Sequence, residues 1–118
     1  MSLVNLNFIN LAHFDLKLIG CRYKCTLDPG YPIKDILIPG DVQSVICASI
    51  GDINTGNCEY QTPYDTLRMS WYHNIYGHEV YGITNSPDDM YMVDLDVYGR
   101  GYTNYTIFDL TTDISVVK

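Results

Sequence analysis

Apolar and polar residues alternate along most of the chain, and this period of two constrains the fold more than any other feature of the sequence. Phe14, Leu16 and Leu18 alternate with Asp15 and Lys17; Leu67, Met69 and Trp71 with Arg68 and Ser70; Tyr91, Val93, Leu95 and Val97 with Met92, Asp94 and Asp96. Successive side chains of a strand point to opposite faces, so each segment buries one face and wets the other. No segment keeps a helical spacing over about ten residues. Turn chemistry separates the segments: Asp28-Pro29-Gly30, Ile38-Pro39-Gly40-Asp41, Gly51 to Gly56, Asn85-Ser86-Pro87-Asp88-Asp89 and Gly99-Arg100-Gly101. The fold class this predicts is all-β, an antiparallel β-sandwich of about eight strands. The strands fall near Leu3 to Asn10, Phe14 to Arg22, Val42 to Ser49, Asn57 to Gln61, Leu67 to Tyr72, Glu79 to Asn85, Met90 to Tyr98 and Asn104 to Thr111, with a closing strand at Ile114 to Val117. Residues 23 to 37, which contain Pro29, Gly30 and Pro32, are the least patterned and read as a long connection that changes sheets.

At 118 residues the chain fits a single domain, 1–118, and no composition break marks a linker. Fourteen acidic against seven basic side chains give a net charge of −7, a field that repels phosphate backbones, so nucleic acid is not an expected partner. No apolar run approaches the roughly 20 residues of a membrane-spanning helix. Met1 to Asn10 alternates and lacks a basic leader, which reads as a first strand; the expectation is a soluble protein, cytoplasmic or secreted without a visible signal peptide.

Cys21, Cys25, Cys47 and Cys58 show no C-x-x-C spacing, and buried free thiols are the expectation over a zinc site completed by His13, His73 or His78. Asp88, Asp89, Asp94 and Asp96 gather near one end of a strand. They suit either calcium or, as the favoured reading, the solubility of an exposed strand face. No metal and no cofactor is expected, since the chain contains no G-x-S-x-G, H-E-x-x-H, Walker loop or G-x-G-x-x-G motif. The chain therefore reads as not an enzyme, although His73, His78 and Glu79 could form an acid–base set.

Eleven Tyr outnumber the seven Lys and Arg together, and the aromatic density peaks in Trp71-Tyr72-His73-Asn74-Ile75-Tyr76-Gly77-His78-Glu79-Val80-Tyr81. This segment lies between two predicted strands and holds the sole Trp. Exposed aromatic rings with polar tips suit sugar faces and lipid headgroups. The bland alternative makes Trp71 and Tyr81 core residues and the remainder an ordinary connection.

The run Ile38-Pro39-Gly40-Asp41 into Val42 to Ser49, then Gly51 to Gly56, a strand ending Glu59-Tyr60, Leu67 to Trp71 and the aromatic stretch Tyr72 to Gly77 resembles the central part of aegerolysins. It is also similar to actinoporin and fungal fruit-body lectin β-sandwiches, and the likeness spans residues 38 to 85. The resemblance implies a non-enzymatic module that binds a membrane lipid headgroup or glycan, in families many of whose members join cytolytic systems. The implied ligand-binding residues are Trp71, Tyr72, His73, Asn74, Tyr76 and Tyr81. Leu3 to Leu18 alternates instead of forming the amphipathic helix that actinoporins insert, so binding and not lysis is expected. The acidic charge points to a neutral or zwitterionic ligand. The alternative reading is a structural subunit that self-associates, as a homo-oligomer or with a protein partner, through the same aromatic surface.

Overall fold

A computed structural model of the chain describes residues 2–85 and 90–110, and ten strands lie among them. They are β1 (Ser2–Asn10), β2 (Leu16–Tyr23), β3 (Thr26–Leu27), β4 (Ile36–Leu37), β5 (Val42–Ser49), β6 (Ile53–Gln61), β7 (Thr66–Asn74), β8 (Glu79–Thr84), β9 (Tyr91–Gly99) and β10 (Tyr102–Asp109). The first sheet has the order β3-β5-β1-β10-β9, the second β4-β2-β6-β7-β8. The two pack face to face as the all-β sandwich expected from the alternation. One pairing departs from the antiparallel rule: β1 and β10 run parallel, from Asn5 opposite Tyr102 to Asn10 opposite Ile107.

The eight predicted strands are present with shifted ends, β7 reaching Asn74 and β6 starting at Ile53. The stretch 23–37 does change sheets, and it does so twice. β3 pairs with β5 in the first sheet, and β4 returns to pair with β2 in the second. Each is only two residues long, too short for alternation to reveal it. The closing strand expected at Ile114 to Val117 lies outside the described residues, as do Asp88 and Asp89.

Inward-facing residues of both sheets form the core. Val4, Leu6 and Phe8 of β1 meet Cys58 and Tyr60 of β6, Leu67, Met69 and Trp71 of β7, and Tyr105 and Ile107 of β10, all of them buried. Phe8 stands edge-on to Tyr105 and Tyr60, with ring centroids 5.2 and 6.1 Å apart. The Tyr105 hydroxyl crosses the core to donate to the backbone carbonyl of Ser70 on the opposite sheet.

The expectation of buried free thiols is overturned: the cysteines form two disulfides, Cys21–Cys58 and Cys25–Cys47. Strand register is the physical reason. Pairing of β2 with β6 sets Cys21 opposite Cys58 with their Cα atoms 4.1 Å apart. Pairing of β3 with β5 brings the preceding Cys25 to a Cα separation of 5.6 Å from Cys47. The first bridge lies within the second sheet, and the second ties the end of β2 to the first sheet.

Burial of tyrosines has a consequence at high pH. Burial pushes the Tyr60 and Tyr105 phenols far above their ordinary value of 10.0. Burial, assisted by the Glu79 carboxylate, raises Tyr81 to about 12. The unfolded chain releases these protons near pH 10 and the folded one only later, so the stability they contribute is complete below pH 10 and falls as pH rises through 12. Denaturation midpoints should hold steady up to about pH 10 and then drop, with the phenolate absorbance of Tyr60 and Tyr105 appearing together with loss of the strand circular-dichroism signal. Phenolate absorbance from all eleven tyrosines of a still-folded chain near pH 10 would contradict the burial.

Candidate functional site

The six residues singled out by sequence divide between the two faces of the second sheet. Because β7 runs on to Asn74, Trp71 to Asn74 are strand residues and only residues 75–78 form a turn. Alternation sends Trp71 and His73 inward, at 2% and 6% exposure, and Tyr72 outward. Asn74 is buried, Tyr76 projects from the turn with 75% exposure, and Tyr81 is half-buried. Tyr72 and Tyr76 are thus the members of the set available to a ligand, and the other four are supports.

Their supporting roles are specific. The Trp71 indole N–H donates to Asn54 Oδ1 at 3.0 Å, and Asn54 Nδ2 donates to the carbonyls of Ser2 (3.1 Å) and Cys47 (2.8 Å) on the other sheet. Asn74 Oδ1 accepts the backbone N–H groups of Tyr76 and His78, both at 3.0 Å, and so folds the turn around its own side chain. Gly77 takes φ +90° there, a conformation L side chains rarely adopt. The N–H of Ile75 donates to the Asp52 carbonyl, and the Arg100 guanidinium donates to the Ile75 carbonyl, at 3.1 Å each. Tyr76 is therefore carried on a turn braced from the β5–β6 connection and from the β9–β10 turn.

His73, His78 and Glu79 do not converge as an acid–base set. His78 is exposed on the turn, whereas His73 points between the sheets, its Nδ1 at 2.5 Å from the Ser2 hydroxyl and its Nε2 4.0 Å from Glu79 Oε1. Glu79 Oε1 already accepts from the Tyr81 hydroxyl at 2.7 Å and from the Gly101 N–H at 2.6 Å. Ser2 is 2% exposed. With Ser2 and Gly101 from one sheet and His73, Glu79 and Tyr81 from the other, the arrangement clasps the two sheets at this end. Asp94 and Asp96 stand exposed on β9, beside Thr106 and Asn104. Among the described residues no group of three or more His, Cys, Asp or Glu side chains is placed to hold a metal.

A shallow, open groove of about 560 Å3 crosses the outer face of the second sheet. Three neighbouring strand segments line it, Arg22 to Lys24, Thr55 to Asn57 and Ser70 to Tyr72, with Val80 at its margin. Alternation directs Arg22, Thr55, Asn57, Ser70 and Tyr72 into it, while Trp71 lies beneath. Gly56, on the inner face opposite Trp71, leaves room for the indole beneath the groove: a Cβ there would stand 2.5 Å from the Trp71 ring and 2.7 Å from the Arg22 carbonyl oxygen. Sequence reasoning reached Tyr72 but missed Arg22, Lys24, Thr55, Asn57 and Ser70. The available signal was the spacing of Cys21 and Cys25, which encloses two of the seven basic residues of the chain.

No protein-family profile matches the sequence, and no curated protein matches it. Among solved structures, the chain is similar to the crystal structure of IP-1A from Alcaligenes faecalis, with a TM-score of 0.70 at 13% sequence identity over 92% of this chain and 91% of that one. Identity this low carries the sandwich architecture and nothing further.

Proposed function

We propose that this chain is a recognition module for a membrane lipid headgroup or a glycan, and that the ligand lies in the outer groove of the second sheet against Tyr72, within reach of Tyr76 on the adjoining turn. The observation that carries this reading is the groove itself. It is concave, it presents the Tyr72 ring, with Tyr23 also in its lining, and the hydrogen-bonding side chains of Asn57 and Ser70, and a rigid sheet forms its floor. The resemblance of residues 38 to 85 to aegerolysins and related lectins points the same way. Trp71, His73, Asn74 and Tyr81 serve the site by holding the strand and the turn in place. No helix among the described residues is long and apolar enough to cross a membrane. The two disulfides favour an oxidising compartment or the cell exterior as the place of action.

The test is binding to a panel of vesicles and immobilised glycans by the native protein and a Tyr72→Ala/Tyr76→Ala variant. Neither ring belongs to the core, so the variant should keep the native denaturation midpoint while losing about tenfold or more in affinity, the effect of two stacking anchors. Undiminished binding by the folded variant would overturn the assignment of the site. A second reading rests on β8, the edge strand of the second sheet, which carries no charge from Val80 to Thr84 and leaves Val80 63% exposed. Such an edge can pair with a second copy. A light-scattering mass that rises with concentration, together with silence across the panel, would favour that self-associating subunit.

A further inference from the structure

We propose that Arg22 and Lys24 form an oxyanion site in this groove, and that the ligand presents to them the phosphate of a phosphodiester or phosphomonoester. The inference rests on the recognition reading above and narrows its ligand class. The net charge of −7 hides a local reversal of sign. Among the described residues Lys34 pairs with Asp41 at 3.5 Å, Arg68 with Glu59 at 3.3 Å, and Arg100 donates to the Ile75 carbonyl. Arg22 and Lys24, like Lys17 outside the groove, have no ion-pair partner among those residues, and no carboxylate lines the groove that Arg22 and Lys24 border. In a chain with twice as many acids as bases, two unpaired cations beside one concave surface are an unspent electrostatic resource.

The pair is also held in place. Arg22, Tyr23 and Lys24 are the residues between Cys21, bridged to β6 of the same sheet, and Cys25, bridged to β5 of the other. The Lys24 N–H donates to the Thr55 carbonyl at 2.8 Å, keeping the segment against β6. Clamping a short backbone at both ends lowers the ordering cost of binding. The guanidinium offers a planar fork suited to two oxygens of a phosphate, and the ammonium a compact charge beside it. Asn57 and Ser70, whose side chains have no hydrogen-bond partner among the described residues, supply neutral donors next to them. The Thr55 hydroxyl is committed to the Trp71 carbonyl at 3.0 Å. Tyr72 then receives the uncharged remainder of the ligand.

The experiment titrates the disulfide-intact protein with inorganic phosphate, glycerophosphocholine, phosphatidylcholine vesicles and vesicles containing an uncharged galactosyl lipid. An Arg22→Gln/Lys24→Gln variant is compared with native protein and with Tyr72→Ala. The expected result is binding of phosphate-bearing probes that weakens with salt and falls about tenfold or more in the double variant, whose exposed substitutions leave the denaturation midpoint unchanged. Preference for vesicles over glycerophosphocholine assigns a lipid headgroup as the source, and equal binding assigns a soluble phosphate; either supports the site. Phosphate-independent binding of the galactosyl lipid that Tyr72→Ala abolishes and the double variant retains would overturn the oxyanion site while leaving the recognition reading intact. No binding of any probe would overturn both.

Discussion

Replacing Trp71 by alanine should destabilise the protein by about 4 kcal/mol or more, the largest effect of any single substitution in the site segment. Two costs combine at this position. Removing a buried indole leaves a cavity, for which Trp→Ala changes cost about 3–5 kcal/mol. It also strips Asn54 Oδ1 of its donor inside the core, where an orphaned acceptor costs about 1–3 kcal/mol. Asn54 is fully buried, and its amide holds the carbonyls of Ser2 and Cys47, so disorder there loosens both sheets together. Against a total stability of about 5–15 kcal/mol the loss is a large fraction. Trp71→Phe keeps most of the volume and removes the N–H, so it should cost about 1–3 kcal/mol and isolate the hydrogen-bond share. Urea denaturation followed by far-ultraviolet circular dichroism separates the three proteins, since the substitution deletes the sole tryptophan fluorophore. A native midpoint for Trp71→Ala would place the ring outside the core. Loss of ligand binding in that variant would reflect unfolding, which is why the surface test uses Tyr72 and Tyr76 instead.

The contrast between Trp71 and Tyr72 shows how far the sequence could be read. The turn signals Ile38-Pro39-Gly40-Asp41 and Gly51 to Gly56 bounded β5 at Val42 to Ser49, while alternation set which residues of the patterned strands face the core. The same rule, carried two residues beyond Tyr72, would have kept His73 and Asn74 in β7 and turned Trp71 and His73 inward. The polar pair His73-Asn74 reads locally as a turn, and only tertiary partners, the Ser2 hydroxyl for His73 and the backbone of Tyr76 and His78 for Asn74, make it strand. The strands β3 and β4 were illegible for another reason: two residues carry no period, and their pairing depends on β5 and β2 distant in sequence. The groove was hidden in the same way. Arg22 and Asn57 become neighbours through the β2–β6 register, and Asn57 and Ser70 through that of β6 and β7. Composition averaged the charge to −7 and so concealed a cationic surface that only the register assembles.

Cleavage of the Cys25–Cys47 bridge should cost about 3 kcal/mol and blunt the groove before it unfolds the sandwich. The bridge closes a separation of 22 residues, for which the chain-entropy relation gives about 3 kcal/mol; the Cys21–Cys58 bridge, closing 37, gives about 4 kcal/mol. For a chain of this size a loss of 3 kcal/mol corresponds to a fall in Tm of about 10–20 °C. The two bridges act on different structures. Cys21–Cys58 staples strands that six residues of β6 already pair, so its loss should appear mainly as lower global stability. Cys25–Cys47 holds a segment whose first-sheet strand, β3, is two residues long and pairs only with Thr26 opposite Ala48 and Leu27 opposite Cys47. Without it the chain after Tyr23 opens at little cost, and Lys24 loses its fixed place beside Thr55. A Cys25→Ala/Cys47→Ala variant should therefore show faster amide exchange from Lys24 to Leu27 than across β6, with weaker phosphate binding at temperatures where the protein remains folded. Uniform exchange across both segments, or a Tm unchanged from the native protein, would remove the bridge from the architecture of the groove.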